Sequence, residues 1–308
     1  MSAHHEEDPG RTGEAAASRQ DDGGRQVSQA FAIGLFGNTL LALVKLGAGF
    51  ASGSLSLTAD GWHSLSDMAT NAGAWVAHRF ARKPPDEDHH YGHGNAEALA
   101  GLVIGAMLVA GGFAVGATGI TSEQRLREDA RGWALAVACL SVLGNVALAW
   151  ITSRSARVGR SQSLKALARD NLSDALSGLL VVLAILLAGL GLDWAEPVAA
   201  VVIGALIVVL GFHSLLEGLH VLMDRVPDTG LRERLGTTAR AVQGVRGVQT
   251  IRVHPLGDHL RVDLGISVDG ALTVEEGHRI AHEVEERLQE EHPDVGGVHV
   301  HVGPHRAS

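Results

Sequence analysis

The segment DGWHSLSDMATN, residues 60–71, places Asp60, His63, Asp67 and Asn71 at intervals of three, four and four. That spacing stacks side chains along one face of an α-helix. A second segment, ARDNLSDALSG, puts Asp170 and Asp174 four apart, with Asn171 beside them. Both lie in Leu-, Val-, Ala- and Gly-rich runs long enough to cross a bilayer, where about 20 residues suffice. A carboxylate at that depth costs about 2.5–3.5 kcal/mol, so it persists where it faces a polar cavity and meets a partner. Basic residues within the runs are few, notably Lys45, Arg79 and Arg169, and most stand near the ends. They cannot neutralise every acid, which makes a cation from outside the protein the natural partner. His63 and Asp67 from one helix, with Asp170 and Asp174 from another, supply four N/O donors. That number and chemistry suit a four-coordinate transition-metal ion. Read without a metal, the same residues would be a proton relay or helix-end polar groups; two i, i+4 pairs together favour the metal. Asp60 and Asn171 either orient the ligands from behind or line an aqueous vestibule.

Such donors need membrane helices to carry them. Six spans are expected, at roughly 28–50, 55–80, 96–120, 131–153, 163–190 and 195–222. Arg79, Arg82 and Lys83 follow the second span; Arg154, Arg157, Arg160, Lys165 and Arg169 follow the fourth, while the opposite loops carry little net positive charge. The bias places both termini in the cytoplasm and the protein in the cytoplasmic (inner) membrane. The mean hydropathy of +0.14 averages two unlike parts: a membrane domain over 28–222 and a polar domain over 228–308. Residues 1–27 are polar and Gly-rich, lack the apolar core of a signal peptide, and read as a disordered cytoplasmic tail.

After Asp224 the sequence reads as helix (229–242), strand (248–256), strand (258–268), helix (273–291) and strand (296–303). HLRVDLGISVD alternates with period two, and TVEEGHRIAHEVEERL is amphipathic with helical period. Eight of the 17 histidines lie beyond residue 250, so this domain is a second place to look for metal. His278 and His282 share a helix face; His299 and His301 share a strand face. In the loop PPDEDHHYGHG, Asp86, His89 and His93 supply three N/O donors within one short segment. From the residues alone, the loop and the histidines are either metal sites or solvated polar surface.

SLSLTADGWHSLSDMATN, followed by RKPPDEDHHYGHGNAEALAGL, resembles the cation diffusion facilitators, a family of divalent metal/proton antiporters. The H-x-x-x-D of the second span, the D-x-x-x-D of the fifth and the Y-G-H-G loop occur in the family's order, and the resemblance runs from about residue 28 to the end. It implies a membrane all-α six-helix transmembrane bundle joined to a C-terminal α+β ferredoxin-like cytoplasmic dimerisation domain. It implies a homodimer in the lipid bilayer that exports metal ions in exchange for protons, with His63, Asp67, Asp170 and Asp174 as the transport site. Spans 3 and 6 would pack together, the small residues of GLVIGAMLVAGGFAVGATG allowing close approach. Asp86, His89 and His93 match a second, loop site, while His278 and His301, with His282 on the same helix, match the family's cytoplasmic metal positions. Gly265 and Gly303 stand where some members have further ligands.

Two departures bear on chemistry. The Asp pair of span 5 resembles manganese-type members, whereas His63 resembles zinc-type ones. Three carboxylates and one imidazole harden the site toward Mn(II) or Fe(II), with Zn(II) close behind; Co(II) and Cd(II) are further candidates. Asn95 occupies the place of a lysine that in related proteins pairs with an acid ending span 6, here Asp224. Donors must lose protons to bind metal, so loading and protonation oppose each other, and an imidazole titrates in the useful range.

Other classes fare worse. The net charge of −9, without a long basic run, leaves nucleic acid an unlikely match. No P-loop, G-x-S-x-G or H-E-x-x-H occurs, which argues against ATP drive, an intramembrane hydrolase and any enzyme. No organic cofactor is implied; the metal is the substrate. A membrane-anchored metal sensor using the His-rich domain is the alternative, but it has no use for four donors inside the bundle. Cys139 is the only cysteine, so no internal disulfide forms.

Overall fold

A computed structural model describes residues 9–123, 125–158, 162–226, 228–257 and 259–305. Six long helices come first: α1 (Pro9–Ser52), α2 (Leu55–Ala81), α3 (Ala96–Thr121), α4 (Arg131–Val158), α5 (Gln162–Gly189) and α6 (Ala195–Leu222). Then come α7 (Leu231–Arg240), β1 (Gly247–Leu256), β2 (His259–Val268), α8 (Val274–Glu291) and β3 (Val295–Pro304). The chain forms two compact units, residues 1–71 with 107–210 and residues 72–106 with 211–308.

Helical backbone begins at Pro9, so residues 9–27 are helical where the sequence reads as a disordered tail; residues 1–8 lie outside the described residues. Extending an existing helix adds one hydrogen bond per residue fixed, whereas nucleating one is costly, so a polar extension can ride on the apolar helix behind it. Five of the helices are long and apolar enough to cross a membrane: the Ala32–Ser52 part of α1, with α3, α4, α5 and α6. The remaining long helix, α2, has 27 residues and falls short in apolarity because Asp60, His63, Asp67 and Asn71 lie along it.

In the first unit the core is small and aliphatic. Leu57, Val181, Ile185, Ile203 and Ile207 pack with Ala134 and Ala138, while Phe36, Phe113, Leu140, Trp150 and Val209 point outward. An apolar exterior on helices of this length is what acyl chains solvate. Gly53 joins α1 to α2 with φ 78°, in the left-handed region that glycine enters without strain. Beside it Glu196, buried at the start of α6, accepts from Ser54 Oγ (2.9 Å) and from the backbone N–H (3.0 Å) and Oγ (3.0 Å) of Ser56. A carboxylate there meets the unpaired N–H groups and positive dipole end of α2. Gly112 of α3 brings the helix against α6: a Cβ there would lie 2.7 Å from the carbonyl of Gly204 and 2.8 Å from the Val208 nitrogen. The expected α3–α6 approach is present.

In the second unit, β1 and β2 form an antiparallel hairpin and β3 pairs parallel to β2, giving the order β1-β2-β3. Val262, Leu264, Ile266 and Val268 of β2 alternate inward and meet Ile280, Val284 and Leu288 of α8, with Leu231 and Leu235 of α7. Thr273 and Glu276 cap α8 reciprocally, each side chain bonding the other's backbone N–H. This α+β order matches the sequence expectation to within about three residues at each end; Asp258, assigned to the second strand, lies outside the described residues.

Candidate metal centre

The turn at Gly53 sends α2 back along α1, and α5 runs antiparallel to α2. Three tiers of polar side chains follow from this, read along α2 toward its C-terminus. The first holds Asp60 of α2 and Ser177 of α5, whose Oγ donates to Asp60 Oδ1 at 2.6 Å. The second holds His63 and Asp174, with Nε2 and Oδ1 3.8 Å apart. In the third, Asp67 stands 3.8 Å from His63 Nδ1 through its Oδ2.

His63 and Asp174 are each 5% exposed, Asp67 has 38% of its side chain exposed, and Asp170 is exposed. One ligating atom from each of His63, Asp67 and Asp174 lies within 4.8 Å of the other two. Bonds of about 2.0–2.2 Å in a tetrahedral site put ligand atoms roughly 3.3–3.6 Å apart. Closing on an ion therefore asks for about an ångström of movement. Both imidazole nitrogens face carboxylates at distances too long for hydrogen bonds, so neither has to leave a partner first. Of the four expected donors the structure brings three together. Asp170, one turn before Asp174, stays outside the group.

Asp60 is not free to ligate. It is 1% exposed and its Oδ2 lies 2.8 Å from the Nζ of Lys45, which is fully buried. The contact is an ion pair outside hydrogen-bond alignment. Lys45 also donates to Ser64 Oγ at 2.9 Å. Asn171, fully buried, accepts at Oδ1 from Asn38 Nδ2 at 2.8 Å, tying α5 to α1. Both expected supporting residues thus hold helices in place, their partners being Lys45 and Ser177 for Asp60 and Asn38 for Asn171. Sequence reading put Lys45 among cations standing mostly near span ends. Its burial follows from the α1–α2 turn, which folds residue 45 back beside residue 60.

The loop between α2 and α3 gathers the second expected set. Asp86 Oδ1 lies 3.1 Å from His89 Nδ1 and Oδ2 lies 3.3 Å from His93 Nε2. All three offer ligating atoms within 4.8 Å of one another. The backbone N–H of His89 donates to Asp86 Oδ1 at 2.7 Å and, as the largest influence, holds its carboxyl below the ordinary carboxylate range. His93 has 7% of its side chain exposed and rests edge-on against Phe80, ring centroids 5.1 Å apart. In the α+β domain His278 and His282 do meet, with ring centroids 4.5 Å apart, but His282 turns to Glu285 at 3.3 Å. His301, on β3 opposite Gly265, joins them in no group of three donors among the described residues.

Two family models cover this architecture: the cation efflux transmembrane domain matches residues 31–223, and the cation efflux protein cytoplasmic domain matches residues 227–305. The chain belongs to the cation efflux family, the cation diffusion facilitators. It is 30% identical over 311 residues to metal tolerance protein 2 of Oryza sativa subsp. japonica, covering 92% of this chain and 80% of that one. It is 31% identical over 271 residues to the manganese efflux system protein MneS of Bacillus subtilis (strain 168), covering 86% and 91%. The magnetosome protein MamM of Paramagnetospirillum magneticum is 30% identical over 256 residues, covering 82% and 80%. As a cation diffusion facilitator this is an integral membrane transporter of metal cations and not an enzyme.

Proposed function

We propose that this cation diffusion facilitator exports divalent transition metals across the cytoplasmic membrane in exchange for protons. In this reading α2 is the sixth span, both termini are cytoplasmic and the working unit is a homodimer. The observation that carries it is the gathering of His63, Asp67 and Asp174 from two antiparallel helices inside a bundle with an apolar exterior. These groups bind metal only when unprotonated, so an ion entering displaces protons and protons arriving from the other side displace the ion. Asp170, exposed one turn away, would attract the ion to the site and add a fourth donor as the helices close. Two or three carboxylates to one imidazole favour Mn(II) or Fe(II), with Zn(II) next and Co(II) and Cd(II) behind. A relative named as a manganese efflux protein supports placing Mn(II) among the first candidates. Asp86, His89 and His93 form a separate loop site.

Proteoliposome flux tests this. The full chain is presented with Mn, Fe, Zn, Co and Cd ions under an imposed pH gradient. Mn(II) or Fe(II) uptake with counterflow of protons is expected, and Asp174→Ala and His63→Ala should each abolish it. Normal flux by Asp174→Ala for every metal would overturn the site; binding without flux would make the protein a sensor.

A further inference from the structure

The tiers of the metal centre are not alike at their two ends. Toward the C-terminus of α2 the acids become exposed, ending at Asp67 and Asp170. Toward the N-terminus the next side chains are Asp60, with Lys45 of α1 and Ser177 of α5 against it, all buried. A buried ion pair is a poor way to gain stability, since apolar residues of similar volume serve as well or better. Its position has a different consequence. Asp60 lies three residues from His63, about one helical rise of 4.5 Å along the axis, where it would otherwise be a further ligand. Lys45 occupies it and sets a positive charge across the path of any cation leaving the donors on that side.

We propose that the Lys45–Asp60 ion pair, with Ser177, is the closed gate on the far side of the metal centre from its acidic mouth. This rests on the transport reading above, under whose orientation the gate is extracytoplasmic. Lys45 and Asp60 belong to α1 and α2, which are joined by the two-residue turn at Gly53 and Ser54 and by this pair, so they move together. On this side of the donors the hydrogen bond that crosses to α5 among the described residues is Ser177–Asp60; the Asn38–Asn171 bond joins α1 to α5 on the other side. Opening therefore separates α5 from the α1–α2 hairpin at Ser177, while Lys45 keeps Asp60 from following the metal. Lys45 and Ser177 are positioning residues; neither is a ligand.

The test uses the full chain in liposomes with Cys139, which is exposed on α4, replaced by Ser. Val181→Cys serves as reporter: Val181 is fully buried one turn beyond Ser177, so a membrane-impermeant thiol reagent added outside reaches it when the gate opens. Ser177→Ala, which keeps the ion pair, should raise the labelling rate several-fold, up to roughly tenfold for one hydrogen bond to a carboxylate, and Ser177→Thr should restore it. The paired change Lys45→Met with Asp60→Asn should raise labelling at least as much. Mn(II) binding by calorimetry shows that each variant is folded. Unchanged labelling in folded Ser177→Ala overturns the gate and leaves a packing contact. Failure of the transport reading is seen separately, as Mn(II) binding and flux that survive Asp174→Ala in the unmodified background.

Discussion

A donor's worth depends on whether an ion can reach it without first displacing another partner. His63 meets that condition, buried with its two ring nitrogens 3.8 Å from Asp67 and Asp174 and hydrogen-bonded to neither, whereas Asp60 fails it because Lys45 is already there. Asp170 is intermediate: it is near, exposed and not gathered. Asp174→Asn should therefore weaken Mn(II) binding on the order of a hundredfold or more, and Asp170→Asn only about tenfold, the size of effect seen for groups that assist ligands. Calorimetry on the full chain checks this; equal losses would make Asp170 a full ligand. In the loop, the N–H of His89 keeps the Asp86 carboxyl below its ordinary range. A depressed carboxylate contributes above its unfolded value near 3.9 and is lost as pH falls through the folded value. Between pH 7 and 5 it therefore stays ionised and available to a cation. With the transport site silenced by Asp174→Ala, Asp86→Asn should lower loop affinity for Mn(II) throughout that window, and calorimetry that finds it unchanged would remove Asp86 from the site. The H-x-x-x-D and D-x-x-x-D spacings made the candidate donors legible. The register between α2 and α5, which decides that His63 faces Asp174 and not Asp170, is a property of packing and is written in neither helix alone.

Helices were the most readable level, because twenty apolar residues in a row leave few alternatives. The exception shows the same physics: of the six, α2 alone has no stretch apolar enough to be read as a span, and it carries two of the donors, His63 and Asp67. What the spacing of small residues could not reveal is which glycine touches what. Gly111 has open space where a Cβ would go, while its neighbour Gly112 would drive one into the backbone of α6 at 2.7 Å. Gly112→Ala should thus destabilise the bundle by about 1–3 kcal/mol, the usual cost of overpacking, and Gly111→Ala should leave it unchanged or slightly firmer. Thermal unfolding in detergent separates the two, and similar midpoints would mean that α3 and α6 do not approach as described. In the α+β domain the capping box of Thr273 and Glu276 was present in the sequence as T-x-x-E. Thr273→Ala should cost about 1 kcal/mol, read as faster amide exchange in the first turn of α8.

At the scale of the molecule, the loop that carries Asp86, His89 and His93 shares one compact unit with the α+β domain and rests on its hairpin. The guanidinium of Arg261 lies 4.7 Å over the ring of Tyr91. A Cβ on Gly94 would come within 2.7 Å of the Leu256 carbonyl carbon and 2.8 Å of the Gly257 nitrogen. Asp224, left without the lysine that Asn95 replaces, pairs with His254 of β1. No spacing in the sequence announces that exchange, because residues 224 and 254 meet only once the hairpin has formed. Two contacts thus join loop and domain, a third ties the chain just after α6 to the same hairpin, and their sizes rank them. An exposed ion pair is worth about 0–1 kcal/mol and an exposed cation–π contact about 0.5–1 kcal/mol. A side chain at position 94 would instead push two backbones apart. Gly94→Val should therefore free the loop from the hairpin, accelerating amide exchange over residues 255–260 and weakening metal binding at Asp86, His89 and His93. His254→Ala should change either by less than a factor of about five. If His254→Ala proves the more disruptive of the two, the ion pair between the end of α6 and the hairpin, not the backbone contact at Gly94, is what sets the hairpin against the loop.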